Sequence, residues 1–341
     1  MSLRRLILLA SMAAMLVAGI IGTSMPVANA QDASPEAAAP QLPVTVTDVN
    51  GNSIEVTDIS RIIPLNGNVA ETLFALGLGP NVVAVDISAT YPAEAAALPK
   101  IGYQRELSAE GILSFEPTLV IGTQNAGPED VIQQVRDAGV PVIILPVQMT
   151  AAGAAEEVRA IGAAVGLAEE AEALAAMIDA RVAETAALVE GVETKPRVAF
   201  LYIRGEGTQM IAGAGNQADA IITAAGGINV GTEIGIEGYQ PITPEALVEA
   251  QPDYILVMQA GLASVGGVEG LLSIPGVKET PAGENGAIIA FDDQYLLGFG
   301  PRIGDAVYDL TLALYPDIEG APIHPGWQGT DVVTPEASPA A

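Results

Sequence analysis

Tyr103 and Arg105 stand two residues apart in K-I-G-Y-Q-R-E-L-S-A-E-G-I-L-S-F-E-P-T-L-V-I, residues 100–121, directly after Gly102. An ionised phenol is an anionic oxygen, and anionic oxygen suits ferric iron, a hard cation. A free phenol has a pKa of ~10, so a neighbouring cation that favours the phenolate brings this chemistry closer to neutral pH. Arg105 can act as that cation, or it can pair bidentately with a carboxylate on a ligand. The competing reading is a surface tyrosine packed beside an arginine.

Most other site chemistries lack a component. His324 is the single histidine and lies in a Pro/Gly-rich tail, so a Ser-His-Asp or Cys-His system has no base and a His-rich metal site has no ligands. There is no cysteine, which removes disulfides, thiolate metal sites and a lipid-modified N-terminal cysteine. Gly213-x-Gly215-x-x-Ala218 nominally fits a dinucleotide fingerprint, but that motif has low specificity and the glycines are read instead as a turn that approaches a ligand or the other lobe. The net charge is −28; residues 1–30 hold two basic and no acidic residues, leaving 11 basic against 41 acidic, or −30. Such a surface repels nucleic acid and suits solubility, including in a saline habitat.

The elements that must position Tyr103 and Arg105 are α/β. Residues 1–30 read as a cleaved signal peptide, with Arg4 and Arg5 before an apolar run and Ala28-Asn29-Ala30 before Gln31. Export without a lipid anchor, to a periplasm or another extracytoplasmic space, is the expectation. Residues 31–42 and 317–341 are Ala/Pro-rich and read as a disordered lead-in and tail. Between them, residues 43–150 alternate apolar strand runs with helix patterns, including Arg61 to Leu65, Val82 to Val85, Leu119 to Ile121 and Val142 to Leu145. Asn68 is placed as the cap of a helix carrying Glu71. Residues 151–192 read as a linker region with a first segment closing near Gly166 and one long helix between two lobes; a coiled-coil dimer is the other reading, disfavoured because the stripe is Ala-rich and lacks sustained heptads.

Residues 193–316 repeat the grammar of the first lobe. Glu110 precedes Pro117 by seven residues, Glu245 precedes Pro252 by seven, and a strand follows each proline. Asn216 and Asp219 echo Asn68 and Glu71, and Pro301 to Tyr315 forms a closing helix. A duplicated α/β unit predicts two lobes with central parallel-type sheets and a ligand cleft between them.

Over Val44 to Tyr315 the chain resembles the substrate-binding proteins of ABC importers for haem, iron-siderophores or cobalamin, and G-Y-Q-R-E-L-S-A-E-G-I-L is similar to the haemin-binding branch. The resemblance implies haem as transported ligand, iron coordinated by Tyr103, assistance from Arg105, and no enzymatic activity. It also implies a membrane ABC permease docked through Glu110 and Glu245, with the protein acting as a monomer. On the C-terminal lobe, Arg204 and Arg302 are placed to meet propionates, Tyr239 to stack on a porphyrin, and Met210 either to ligate through its thioether or to line the pocket. A ferric siderophore or cobalamin is the alternative cargo, for which Tyr103 lines the pocket without ligating; an exported enzyme and an acidic adhesion module stand further off.

Overall fold

Strands buried on both faces organise the molecule. The computed structural model describes residues 39–324 and 327–328; the signal-peptide reading of residues 1–30 lies outside them, as do parts of the lead-in and tail. In the N-terminal lobe, β1 (Val44–Thr47) and β2 (Ser53–Val56) form an antiparallel hairpin, and β3 (Ile62–Pro64), β4 (Leu119–Thr123) and β5 (Val142–Leu145) form a parallel sheet in the order β3-β4-β5. Side chains alternate across a strand, so Leu119 and Ile121 enter one core while Val120 enters the other. Val82 to Val85 makes only isolated bridges, to Ile62 and Lys100, rather than the full strand expected.

The C-terminal sheet is mixed. β6 (Arg197–Ile203), β8 (Ile228–Asn229), β10 (Tyr254–Met258) and β11 (Ile288–Phe291) run parallel, while β7 (Gln209–Ala212) and β9 (Tyr239–Pro241) add antiparallel strands at one side. On the other edge β12 (Trp327–Gln328) pairs antiparallel with β11. Tail residues therefore join the sheet, and the Ile323 and His324 amides donate to Asp309 at 2.7 Å each. Gln41 in the lead-in likewise donates to the Gly166 carbonyl at 2.8 Å. Composition suggested disorder at both ends, but backbone pairing does not depend on apolar content.

Residues 151–192 fold as two helices, Ala151–Ala164 and Ala168–Leu188, turning at Gly166 with φ +74°. Gly162 permits their close approach, since a Cβ there would sit 2.0 Å from that of Ala171. The second helix packs on the first and on the closing helix Ile303–Leu314, so it bridges the lobes. Pro301 lies before that closing helix, whose N-cap is Arg302.

The duplication is visible in the backbone. Helices Ala109–Leu113 and Pro244–Ala250 are each followed by a non-glycine residue in the left-handed region, Glu116 at φ 47° and Gln251 at φ 46°. Each immediately precedes its proline, where the right-handed helical region is disfavoured, and both helices start at the same point of the unit, eight residues before that proline. The first-helix cap differs from expectation. Asn66, not Asn68, occupies the N-cap of helix Gly67–Ala75, whereas Asn216 caps Gln217–Ala224 through the Asp219 amide. Among the described residues no helix is long and apolar enough to cross a membrane.

Candidate functional site

The carboxyl ends of the parallel strands in both lobes converge on one cavity of about 620 Å³. Asn66 follows β3, Asn125 follows β4, and Val147 follows β5; from the other lobe Tyr202 sits near the end of β6, Met258 ends β10, and Asp293 follows β11. Crevices outside the carboxyl ends of strands are where open α/β sheets bind ligands, because loops and helix N-termini gather there.

Tyr103 and Arg105 both line this cavity, and both are exposed. Their loop leaves Gly102 at φ +102° and closes with the Glu106 amide donating to the Tyr103 carbonyl at 2.8 Å. Between them Gln104 is anchored twice. Its carbonyl accepts from the Gly127 amide at 2.8 Å, and its side-chain oxygen accepts from Asn66 Nδ2. Asn66 Oδ1 in turn accepts from the Thr123 amide at 2.7 Å. Asn66 therefore ties the Tyr103–Arg105 loop to the end of β4 instead of capping its helix. Among the described residues Arg105 forms no ion pair, which leaves its guanidinium available within the cavity.

The opposite wall carries the same spacing. Tyr202 and Arg204 both line the cavity, two residues apart. The Arg204 guanidinium carbon lies 4.9 Å from the Tyr202 ring centroid, and Nη2 pairs with Asp293 Oδ2 at 2.7 Å. Burial raises the Asp293 carboxyl above the ordinary range, against the lowering effects of the Ala260 amide and Arg204. Within R-V-A-F-L-Y-I Tyr202 is ordinary strand composition, and its repeat of the Tyr-x-Arg spacing is the sequence signal that marks it.

Three expected ligand contacts lie elsewhere. Arg302 does not line the cavity. Its Nε and Nη2 donate to the two carboxylate oxygens of Glu71 at 2.8 and 3.0 Å, and its guanidinium stacks 3.6 Å from the Tyr91 centroid. A buried acid from the other lobe neutralises it, so it is not free to meet a propionate. Tyr239 is also outside the cavity and stands edge-on to Tyr202, with centroids 5.5 Å apart. Burial, helped by Tyr202, pushes its phenol up to about 12, so it stays neutral and supports the aromatic wall from behind. Met210 is the cross-strand neighbour of Tyr202 on β7 and does not line the cavity.

Two further polar residues were invisible to spacing. Gln294 bridges the lobes: its Oε1 accepts from the Thr90 and Tyr91 amides at 2.8 and 3.0 Å, and its Nε2 donates to the Gly67 carbonyl and to Glu71 at 3.0 and 2.9 Å. Glu157 lines the cavity while 4% exposed, accepting at Oε1 from Asn68 Nδ2 at 2.5 Å. Glu110 and Glu245 are exposed, each in the first turn of its equivalent short helix.

Residues 62–295 match the periplasmic binding protein family model. The fold is similar to that of the periplasmic haem-binding protein RhuT from Roseiflexus sp. RS-1 in apo form, at 48% identity and a TM-score of 0.74 over 76% of this chain and 99% of that one. Over 83% of this chain and 76% of the relative, the sequence is 27% identical to a cobalamin-binding protein of Halobacterium salinarum. It is also 25% identical, over 89% of this chain and 96% of the relative, to YvrC, an uncharacterized ABC transporter substrate-binding lipoprotein of Bacillus subtilis. That last likeness corrects one expectation. Freedom from a lipid anchor was inferred from missing cysteine, yet a relative matched across nearly its whole length is a lipoprotein, and the inference is withdrawn; an extracytoplasmic location fits the family.

Proposed function

The chain belongs to the periplasmic binding protein family, the substrate-binding components of ABC importers, and on that premise we propose that its cargo is haem. The observation that carries this reading is the pair of Tyr-x-Arg units, Tyr103 with Arg105 and Tyr202 with Arg204, lining one cavity from two lobes. A phenolate meets ferric iron, and a guanidinium meets a propionate carboxylate. Between them Met258, Leu297 and Phe299 supply apolar wall for a porphyrin edge. In this reading Tyr103 ligates the iron, Arg105 answers the ligand's negative charge, and the protein hands its cargo to a membrane permease without chemical change.

Titrating the purified protein with haemin tests it. The expected result is a shifted Soret band that saturates with protein; a spectrum that stays that of free haemin overturns the proposal. Cobalamin is the second reading, favoured by the Halobacterium relative, and it needs no phenolate. Saturable cyanocobalamin binding with no haemin binding would establish it instead.

Docking to the permease is assigned to Glu110 and Glu245. Both are exposed, both sit on corresponding helices of the duplicated unit, and neither lines the cavity. Reversing both charges, Glu110→Arg with Glu245→Arg, should abolish permease-dependent uptake while haemin titration curves superimpose on those of the parent protein. Normal uptake by the double variant would remove these residues from the docking role.

A further inference from the structure

Glu157 is a buried acid that the proposed binding chemistry leaves unused. One oxygen accepts from Asn68 Nδ2 at 2.5 Å, while Oε2 is buried without a hydrogen-bond partner among the described residues. Buried polar atoms are almost always bonded, and an ionised carboxylate with a bare oxygen is costlier still. Yet this side chain belongs to the lining of the ligand cavity, so its charge state acts on whatever enters.

We propose that Glu157 stands in the cleft as a neutral carboxylic acid, and that its ionisation weakens the hold on a ligand carrying carboxylates. The inference rests on the haem reading and assigns to that site a dependence on proton activity. The charged groups on the elements packed around helix Ala151–Ala164 are occupied with one another. Glu71 pairs with Arg302; Glu172 and Asp179 pair with Arg159; Arg181 pairs with Glu184 and Asp305. Asp219 accepts from Asn229 and Thr232, and Asp309 from Tyr295. Strand β1 carries no titratable side chain, and neither Glu169, Glu170 nor Glu156 bonds to Glu157. Across the cavity stand Tyr103, Arg105, Tyr202 and the Arg204–Asp293 pair. With no cation paired to Glu157 among the described residues, desolvation dominates and pushes the carboxyl up to about 8.

The direction follows from linkage. Ligand carboxylates in the same cavity disfavour an ionised Glu157, so the acid holds its proton more tightly in the complex than in the free protein. Binding is then strongest below the free protein's pKa of about 8 and declines as pH rises through it. A like charge about 8–12 Å away at an effective dielectric of about 20 corresponds to about tenfold to thirtyfold in affinity. Tyr103 works the opposite way, because coordination takes the phenolate and gains from rising pH.

The Kd for haemin is therefore measured for the wild type and Glu157→Gln from about pH 6 to about pH 9.5, and the ratio of the two is followed, which cancels the tyrosine. The ratio of wild-type to variant Kd should climb at least tenfold with pH for haemin and stay flat for haemin esterified at both propionates. A protonated-carboxyl infrared stretch at neutral pH, absent from Glu157→Gln, should fade over the same interval. A flat ratio with haemin, an equal rise with the diester, or no such infrared band overturns the role of Glu157. No haemin binding by the wild type at any pH overturns the haem reading itself.

Discussion

If the cargo is haem, replacing Tyr103 by Phe should lower haemin affinity by about a hundredfold, equivalent to about 2.7 kcal/mol, and remove the phenolate-to-iron charge-transfer absorption. Phenylalanine keeps the ring and deletes the one atom that could meet iron. The residue is 38% exposed, so little core packing depends on it and the thermal midpoint should barely move. The neighbouring anchors are untouched, because Gln104, and not Tyr103, carries the bond from Asn66. Tyr202→Phe provides the comparison. If Tyr103 ligates, its loss changes the ligand-field spectrum; a Tyr103→Phe spectrum identical to wild type would transfer the iron to Tyr202 or to no phenol at all.

Arg302→Ala should cost about 3–5 kcal/mol of stability, because it strands Glu71 as a buried charge. The two side chains are 15% and 5% exposed, and the guanidinium also fills the space over Tyr91. Chemical denaturation should show the loss as a lowered midpoint. Replacing both partners with apolar residues, Glu71→Leu with Arg302→Met, should restore most of it, since the pair's value lies mainly in not leaving one half behind. Haemin affinity of Arg302→Ala, measured where the variant remains folded, should stay within about twofold of wild type. A large affinity loss with little change in stability would return Arg302 to the ligand.

Periodicity and local punctuation carried much of the architecture. Apolar runs such as Leu119 to Ile121 and Tyr254 to Val257, each following a proline, fit strands buried on both faces, and the matched Glu-to-Pro spacing marks the duplication in the sequence itself. Tyr103 was legible because a tyrosine and an arginine after a glycine fit no apolar face. Tyr202 was hidden inside V-A-F-L-Y-I, where an aromatic residue is ordinary strand composition. Arg302 was misplaced because its partner, Glu71, lies 231 residues away in sequence. Gln294, Asn66 and Glu157 were missed for the same reason: their roles come from partners that only the folded chain brings near. The tail strand β12 was missed because two residues of edge pairing leave no compositional trace.

Gln294 has a consequence for the timing of capture and release. One amide group holds backbone or side-chain atoms of Gly67, Glu71, Thr90 and Tyr91 across the junction, so the lobes are already joined before any cargo arrives. Uptake then needs no jaw to shut: the observed association rate should rise linearly with ligand concentration, without the plateau that a slow isomerisation imposes. Unloading has no spring of its own to draw on. The work of prising the cleft apart falls to the membrane partner, and cargo held by such a mould should leave slowly in that partner's absence.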